Sequence, residues 1–399
     1  MSDLSIEFAG VRFKNPLVTA SADEVSSLEK MRIAVTSGIG GITMKSTTEM
    51  SGFTDPSRAR VAIVDGQGAP VRGRIPRDYN FFSRTSTMIP FEKWKRMVVE
   101  ARKLCSDNGV VLIASLASSS LEHWVANAKT MSGFGIDMLE VNFGCPHSGR
   151  TAQTMGMQIG QDPEAVEAIT RAVTAAVKIP VIAKLTPQVT DVVAVARIAL
   201  DAGAAGVTLT NRFLGFGVDI EAGRPHTDGW AGVSGPWIKP LTLRWVSQAY
   251  RNLGAQISGS NGVGDWRDVL EFIMAGARVV QLGTTIMLHG YGLVPETLKA
   301  IAGFMDRKGY RRIEDMVGIA ARAGVTHREV DEKLRPRRAV VDEALCTRCG
   351  LCIEQCLVDA LVLADATAVV EEHCIGCGLC VALCPEGAIA TRDLEARRV

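Results

Sequence analysis

The strongest constraint on this chain is a cysteine pattern that occurs twice near its C-terminal end. Of the ten cysteines in 399 residues, eight lie between positions 346 and 384, in two runs of the form C-x2-C-x2-C-x3-C. Three cysteines at this spacing surround one face of a cubane iron–sulfur cluster, and the fourth usually binds the other cluster of the pair. The pattern therefore predicts two [4Fe–4S] clusters, each of which takes three cysteine ligands from one run and, by exchange, the fourth from the other run.

This exchange assigns four cysteines to each cluster. The first cluster is expected on Cys346, Cys349, Cys352 and Cys384. The second is expected on Cys374, Cys377, Cys380 and Cys356. Zinc is the alternative, but four-cysteine zinc sites usually consist of two C-x2-C pairs separated by a longer stretch. Two complete four-cysteine runs fit that pattern poorly, so iron–sulfur clusters are the preferred interpretation.

The rest of the chain alternates short apolar runs with amphipathic ones. Eight apolar runs are expected to be strands: 15–20, 39–45, 110–116, 137–142, 180–186, 205–211, 255–260 and 278–284. Runs between them, such as 163–177 and 189–203, have the apolar spacing of helices. Continuous apolar strands indicate parallel pairing with both faces buried. The sequence therefore predicts an α/β fold, a (β/α)₈ TIM barrel, with a doubly wound sheet as the alternative.

Three segments are expected along the chain. They are a barrel over 1–325, a linker over 326–340 and a small ferredoxin-like α+β domain over 341–399. The linker interpretation rests on the basic, proline-containing stretch RPRRAVVDE. The net charge is +1, so no global field favours nucleic acid or a membrane surface. No apolar run approaches the roughly 18–20 residues needed to span a bilayer, and no secretory signal is recognised, so a cytoplasmic location is expected.

Polar and glycine residues recur at the ends of the predicted strands, where barrel enzymes carry their working residues. Two lysines and two asparagines at four different strand ends predict a site: Lys45, Lys184, Asn142 and Asn211. The last two strands end in SGSNGVG and LGTT, at the usual phosphate site of this fold. Backbone amides of Gly262, Gly283 and Thr284, with the Thr285 hydroxyl, are candidates to hold one phosphate. No G-x-G-x-x-G follows a predicted strand, so no Rossmann-type NAD(H) site is expected.

Several motifs resemble a known family. NPLVTAS, VNFGCPH, AKLTPQ, TLTN and GVSGP resemble the FMN-binding dihydroorotate dehydrogenase barrel, and GQDPEAV, with a ferredoxin after the barrel, resembles dihydropyrimidine dehydrogenases. The C-terminal segment resembles bacterial two-cluster ferredoxins, with Leu357 where that family usually has proline, whereas Pro385 keeps the pattern. The resemblance implies FMN as cofactor and reduction of the activated C=C of a pyrimidine. It also implies a partner subunit with FAD and an NAD(P)H site, and a homodimer or heterotetramer.

The resemblance also implies roles for individual residues. Lys45 and Lys184 would lie beside the FMN ring, with Lys184 near its N1–C2=O end. The polar edge of the substrate would be bound by Asn80, Asn142 and Asn211. Further contacts to FMN would come from Ala20, Ser21, Asn142, Ser234, Gly235, Gly262, Gly283, Thr284 and Thr285.

Cys145 is the implied general acid/base. Reducing an electron-poor C=C requires a hydride on one carbon and a proton on its neighbour from the opposite face. A thiol is suitable as the proton donor because its unperturbed pKa is about 8.5. The following segment SGRTAQTMG is expected to be a lid, and the alternative for Cys145 is a small buried cysteine. Cys105, within a helical run, is expected to be such a buried residue.

Two positions depart from the pyrimidine pattern. Asn80-Phe81-Phe82 stands where pyrimidine dehydrogenases usually have N-x-E, and Asn211-Arg212 stands where they usually have Asn-Thr. Losing an acid and gaining an arginine favours a more anionic or differently shaped substrate. Three alternatives therefore stay open: the same chemistry on a conjugated carboxylate, an electron-transfer subunit with a silent barrel, and RNA dihydrouridine synthesis. The near-zero net charge disfavours the last of these.

Overall fold

The computed structural model of the chain describes residues 2–50, 60–84, 88–146, 155–326, 329–330, 334–363, 367–369 and 372–394. Contacts within the chain divide it into two compact units, Met1–Ala323 and Gly324–Val399. Among the described residues, no helix combines the length and the apolar composition that crossing a bilayer requires.

Eight parallel strands form a closed barrel in the first unit. They are β1 (Leu17–Thr19), β2 (Gly41–Thr43), β3 (Val111–Leu116), β4 (Met138–Asn142), β5 (Val181–Lys184), β6 (Gly206–Leu209), β7 (Ile257–Ser260) and β8 (Val279–Leu282). Each strand pairs with the next in chain order. The eighth pairs with the first, with Val280 opposite Leu17. This closure confirms the predicted barrel and excludes the doubly wound sheet.

Helices cover the outside of the barrel and explain why its strands are mostly apolar. They are α1 (Leu28–Thr36), α2 (Phe91–Asp107), α3 (Leu121–Ser132), α4 (Pro163–Ala176), α5 (Val192–Asp201), α6 (Lys239–Leu253), α7 (Trp266–Ala275) and α8 (Leu293–Lys308). Every residue of β3 and β4 is buried, as expected for strands covered on both faces. Side-chain oxygens of Ser27, Ser120, Asp162, Asp191 and Asp265 cap the first turns of five of these helices.

Two long excursions from the barrel, after β2 and after β6, meet in a four-stranded antiparallel sheet. Its strands, in spatial order, are Phe213–Gly215, Ala231–Ser234, Tyr79–Ser83 and Val61–Asp65. The sheet adds side chains from Tyr79–Ser83 and Ala231–Ser234 to the site described below.

Shorter elements complete the first unit. The strands are Ile6–Phe8 with Val11–Phe13, Thr47–Thr48 with Ile89–Pro90, and Val218–Asp219 with Arg224–Pro225. The helices are Met157–Gly160, Thr284–His289 and Ile319–Ala323, with 3₁₀ turns at Asp23–Val25, Pro236–Ile238 and Ile313–Met316.

The second unit is built from two similar halves. Strand Arg337–Val341 pairs antiparallel with Ile389–Asp393, and Leu361–Leu363 pairs with Thr367–Val369. Two short helices, Leu351–Glu354 and Leu379–Leu383, each follow a glycine with a positive φ, Gly350 at 82° and Gly378 at 83°. Residues 337–340, which the sequence analysis gave to the linker, belong to the first strand, because Ala339 is buried in the small core of this unit.

Candidate active site and cluster sites

A cavity opens at the carboxyl ends of the barrel strands, where barrel enzymes carry their working residues. Fourteen of the predicted site residues line it. They are Ala20, Ser21, Lys45, Asn142, Cys145, Lys184, Asn211, Arg212, Ser234, Gly235, Gly262, Gly283, Thr284 and Thr285. The barrel closure therefore brings together residues that are up to 265 positions apart, Ala20 and Thr285 being the extremes.

Asn80 is the predicted site residue that does not line this cavity. It lines a neighbouring groove together with Arg77, Asp78 and Trp237. Side chains alternate along a strand, and the cavity receives Tyr79 and Ser83 from Tyr79–Ser83. Asn80 and Phe82 are therefore on the opposite face, and the substitution of an acid by Phe82 removes no carboxylate from the cavity wall.

The two predicted lysines are both paired with carboxylates. Lys45 Nζ lies 2.9 Å from Asp23 Oδ1. Lys184 Nζ donates to Gln281 Oε1 at 2.7 Å and lies 3.6 Å from Glu140 Oε1. Both lysines are buried, so these partners compensate charges that would otherwise be costly inside the protein.

Glu140 is a charged residue that the sequence analysis did not single out. It is fully buried within β4, and its side chain accepts four hydrogen bonds. The donors are Ser21 at 3.2 Å, Ser115 at 3.3 Å, Thr208 at 3.2 Å and Gln281 at 2.8 Å. A glutamate inside the apolar run DMLEVN was the available signal, because a carboxylate in such a strand must find partners inside the barrel.

Arg212 brings a positive charge to the cavity wall. Its guanidinium packs on Gly232, where an added Cβ would lie 2.9 Å from Cζ. Among the described residues, no carboxylate forms an ion pair with it, and burial lowers the pKa of Arg212, an effect that nearby Cys145, Asp23 and Glu24 oppose. Arg212 thus lies on the cavity wall, where a guanidinium favours an anionic or carbonyl ligand.

Cys145 is half-buried on the cavity wall, after the end of β4. The adjacent Gly144 leaves no room for a side chain, since a Cβ there would lie 2.5 Å from Asn211 Cβ. Met157 N donates to the Cys145 carbonyl at 3.0 Å and fixes the backbone. Most of the expected lid, from 148 to 154, lies outside the described residues. By contrast, Cys105 is fully buried in α2, and burial raises its pKa to about 12.

Part of the cavity wall carries buried polar atoms that a bound cofactor can satisfy. Thr210 Oγ1 and Asn261 Oδ1 are buried and have no hydrogen-bond partner among the described residues, so a ligand can satisfy them. The Ser234 and Thr284 hydroxyls lie 2.9 Å apart. The Thr285 hydroxyl is expected to hold phosphate. In the structure it donates to the Val263 carbonyl instead, and this bond connects the segment after β8 to the segment after β7.

The second unit contains two small cavities surrounded by cysteines. One is lined by Cys346, Cys349, Cys352 and Cys384, and the other by Cys356, Cys374, Cys377 and Cys380. Each set takes three cysteines from one run and the fourth from the other run. The amides of Ala360 and Ala388 donate to Cys356 Sγ and Cys384 Sγ, both at 3.2 Å, and hydrogen bonds of this kind tune iron–sulfur potentials.

Comparison with known proteins agrees with this geometry. A family model described as dihydroorotate dehydrogenase matches residues 3–305, and a 4Fe-4S dicluster domain matches residues 339–391. The chain is 32% identical over 322 residues to "Dihydroorotate dehydrogenase B (NAD(+)), catalytic subunit" of Pyrococcus furiosus, covering 79% of this chain and 98% of that protein.

A second relative is matched over a larger share of the chain. The "NAD-dependent dihydropyrimidine dehydrogenase subunit PreA" of Escherichia coli is 30% identical over 368 residues, covering 89% of this chain and 85% of that protein. Among solved structures, dihydroorotate dehydrogenase of Eimeria tenella in complex with ferulenol superposes with a TM-score of 0.65 at 18% identity. That match covers 80% of this chain and 89% of the other, and it supports the fold alone. The chain belongs to the dihydroorotate dehydrogenase family, as an FMN-dependent oxidoreductase of CH–CH groups with a C-terminal domain that binds two [4Fe–4S] clusters.

Proposed function

We propose that this chain is the catalytic subunit of a dihydropyrimidine dehydrogenase, which reduces uracil or thymine to the dihydro form. The observation that carries the proposal is the placement of Cys145, Asn142, Asn211 and Lys184 around one cavity at the strand ends. A relative that is matched over 89% of this chain is named as a dihydropyrimidine dehydrogenase subunit, which supports this substrate.

The chain's own residues bind, orient and protonate the substrate. When bound, FMN supplies a hydride to one carbon of the C=C. Asn142 and Asn211 hold the substrate's polar edge, and Lys184 carries the positive charge beside the cofactor. Cys145 gives its thiol proton to the neighbouring carbon, so hydride and proton together complete the two-electron reduction. A proton from solvent then restores the thiol.

Electrons reach the barrel from a second protein in this proposal. A partner subunit oxidises NAD(P)H with FAD and passes single electrons to the two clusters. Support comes from the names of the relatives, a "catalytic subunit" and a "subunit" of NAD-linked enzymes. A homodimer or a heterotetramer with this partner is expected, and mass measurement of the protein co-purified from its host would identify the assembly.

Substitution of Cys145 tests the proposed acid. In Cys145→Ala, FMN and iron content should equal those of the wild type, while steady-state reduction of uracil with an artificial electron donor should be abolished. Cys105→Ala is the matched control, because that thiol is buried in α2 and should leave turnover intact. Retained turnover in Cys145→Ala would remove the acid/base assignment.

Arg212 supports a second candidate, in which the same cofactors reduce a conjugated carboxylate. An arginine without an acidic partner among the described residues fits the planar oxygens of a carboxylate. Uracil, thymine, their dihydro forms and a panel of conjugated carboxylates should be added separately to the purified protein while flavin absorbance is recorded. A response to pyrimidines supports the first candidate. A response to carboxylates alone, lost in Arg212→Thr, supports the second.

A further inference from the structure

A single line of hydrogen bonds joins the substrate side of the cavity to the inside of the barrel. Asn211 Nδ2 donates to Asn142 Oδ1 at 3.1 Å, and Asn142 Nδ2 donates to Ser46 Oγ at 3.1 Å. The Ser46 and Ser115 hydroxyls lie 2.9 Å apart, and Ser115 Oγ donates to Glu140 Oε1 at 3.3 Å. All the side chains between Asn142 and Glu140 are buried, so water does not compete for these bonds.

The direction of every bond in this line is determined. A backbone N–H can only donate, and the amide of Gly144 donates to Asn142 Oδ1 at 3.1 Å. The amide of Arg212 likewise donates to Asn211 Oδ1 at 2.8 Å. Both side-chain amides are therefore fixed in orientation. Because Ser115 uses its single hydroxyl hydrogen in the bond to Glu140, the Ser46 hydroxyl must donate to Ser115.

Glu140 also determines the orientation of a third side-chain amide on the cavity wall, that of Gln281. Gln281 Nε2 donates to Glu140 Oε2 at 2.8 Å, and so its oxygen is the atom that accepts from Lys184. Both ends of the Gln281 amide are thus determined by charged neighbours. A carboxylate that accepts hydrogen bonds from all sides is the common end point of these interactions.

We propose that Glu140 is a positioning residue that, together with the backbone amides of Gly144 and Arg212, holds the Asn142 and Asn211 amides in one orientation, so that the pocket offers N–H groups and selects the carbonyl edge of its substrate. Each of the two amides has one N–H committed to the line, and the other N–H has no protein partner in the described part of the chain, so it remains for a ligand. The Asn142 oxygen already accepts two hydrogen bonds. This inference rests on the proposed function, since it assumes a pyrimidine in the cavity.

Uracil and cytosine provide a test because they have the same shape but exchange a carbonyl for an amino group. Dissociation constants of both bases are measured from the change in flavin absorbance, with FMN content and melting temperature recorded in parallel. The wild type should prefer uracil by at least about tenfold, the ratio expected when one well-placed hydrogen bond is replaced by a mismatch. Ser115→Ala and Glu140→Gln should each reduce this preference severalfold, and Ser115→Ala should do so at unchanged FMN content.

The controls separate positioning from general damage. Ser258→Ala removes a buried hydroxyl in β7 that has no partner among the described residues, and it should leave the preference unchanged. In an Asn142→Ala background, Ser115→Ala should have no further effect, because Ser115 acts through Asn142.

The outcomes distinguish a failure of the positioning role from a failure of the proposed function. If Glu140→Gln does not fold, Ser115→Ala still tests the line. A wild-type preference retained in Ser115→Ala would overturn the inference and leave the proposed function intact. A wild type whose flavin responds to neither base would overturn both.

Discussion

The barrel and the iron–sulfur unit hold their functional residues in opposite ways. In the barrel, the site side chains are fixed by each other, as in the Lys184–Gln281–Glu140 group, above an extensive apolar core. In the second unit, two of the cysteines are themselves part of a five-residue core. The barrel cavity is therefore formed by the protein alone, whereas the second unit depends on its clusters for much of its stability.

Removal of iron should produce the largest difference between the two units. Anaerobic chelation is expected to unfold residues 334–394, because small metal-binding domains draw most of their folding free energy from the bound metal. The barrel and its FMN should remain. Hydrogen exchange read by mass spectrometry would show loss of protection in Arg337–Val341 and none in β3 and β4. Equal loss in both units would contradict the comparison.

The second-largest effect is expected from a change of pH, which should alter the stability of the barrel. Glu24 is buried in the turn Asp23–Val25, its carboxylate oxygens have no hydrogen-bond partner among the described residues, and burial raises its pKa to about 8 from an ordinary value of 4.5. The unfolded chain loses this proton near pH 4.5, while the folded barrel keeps it to about pH 8. Stability is therefore lost as pH rises through this window, by at most about 1.4 kcal/mol per pH unit.

Urea unfolding followed by tryptophan fluorescence measures this effect in the barrel alone, because all six tryptophans lie before residue 324. The free energy of unfolding should fall between pH 6 and pH 8 in the wild type. In Glu24→Gln this slope should be much smaller. An unchanged slope in the variant would assign the pH dependence to other groups.

Gly262→Ala tests whether the cavity is as rigid as its hydrogen bonds indicate. Gly262 has a φ of 98°, and an added Cβ would lie 2.7 Å from Lys239 Cα. Backbone strain of this kind costs about 1–3 kcal/mol, so the affinity for FMN should fall by about tenfold or more, measured by flavin fluorescence.

Gly309→Ala is the matched control for that substitution. Its φ is 78°, it follows α8, and an added Cβ would meet nothing within 4 Å. It should lower stability slightly and leave FMN affinity unchanged. Equal loss of FMN in both variants would show that strain anywhere in the barrel weakens the site.

The smallest effect is expected from Leu357→Pro in the iron–sulfur unit. Leu357 is 68% exposed and follows Cys356 as Pro385 follows Cys384. The sulfurs of both cysteines accept an amide bond from the residue four positions on, which indicates the same local backbone in the two halves. Iron content and the visible spectrum should be unchanged, with stability altered by less than about 0.5 kcal/mol. Loss of iron would show that the halves differ at this position.

Local patterns were sufficient to predict the barrel strands and the grouping of cysteines around the two small cavities. Cys384 lines the first of these cavities with Cys346, Cys349 and Cys352, as the exchange of fourth ligands requires. The apolar pattern of the strands and the spacing of the cysteines determine such features, and both can be recognised in short stretches of sequence. The roles of the cavity residues stay predictions.

Features that depend on distant pairing were not predicted. The face on which Asn80 lies is set by the pairing of Tyr79–Ser83 with Ala231–Ser234, about 150 residues later in the chain. Glu140, Ser115 and Gln281 are isolated polar residues within apolar strands, and only barrel closure places them within hydrogen-bonding distance. The local sequence around these residues does not indicate that barrel closure brings them together.

The pairing of Arg337–Val341 with Ile389–Asp393 has a consequence for the history of this chain. The first and last strands of the iron–sulfur unit are neighbours, and an ion pair between Arg337 and Asp393 joins them at 2.6 Å. A domain whose first and last strands lie side by side can be joined to another protein without disturbing its own sheet. Gene fusion is therefore an economical route by which a flavin barrel acquires an iron–sulfur domain.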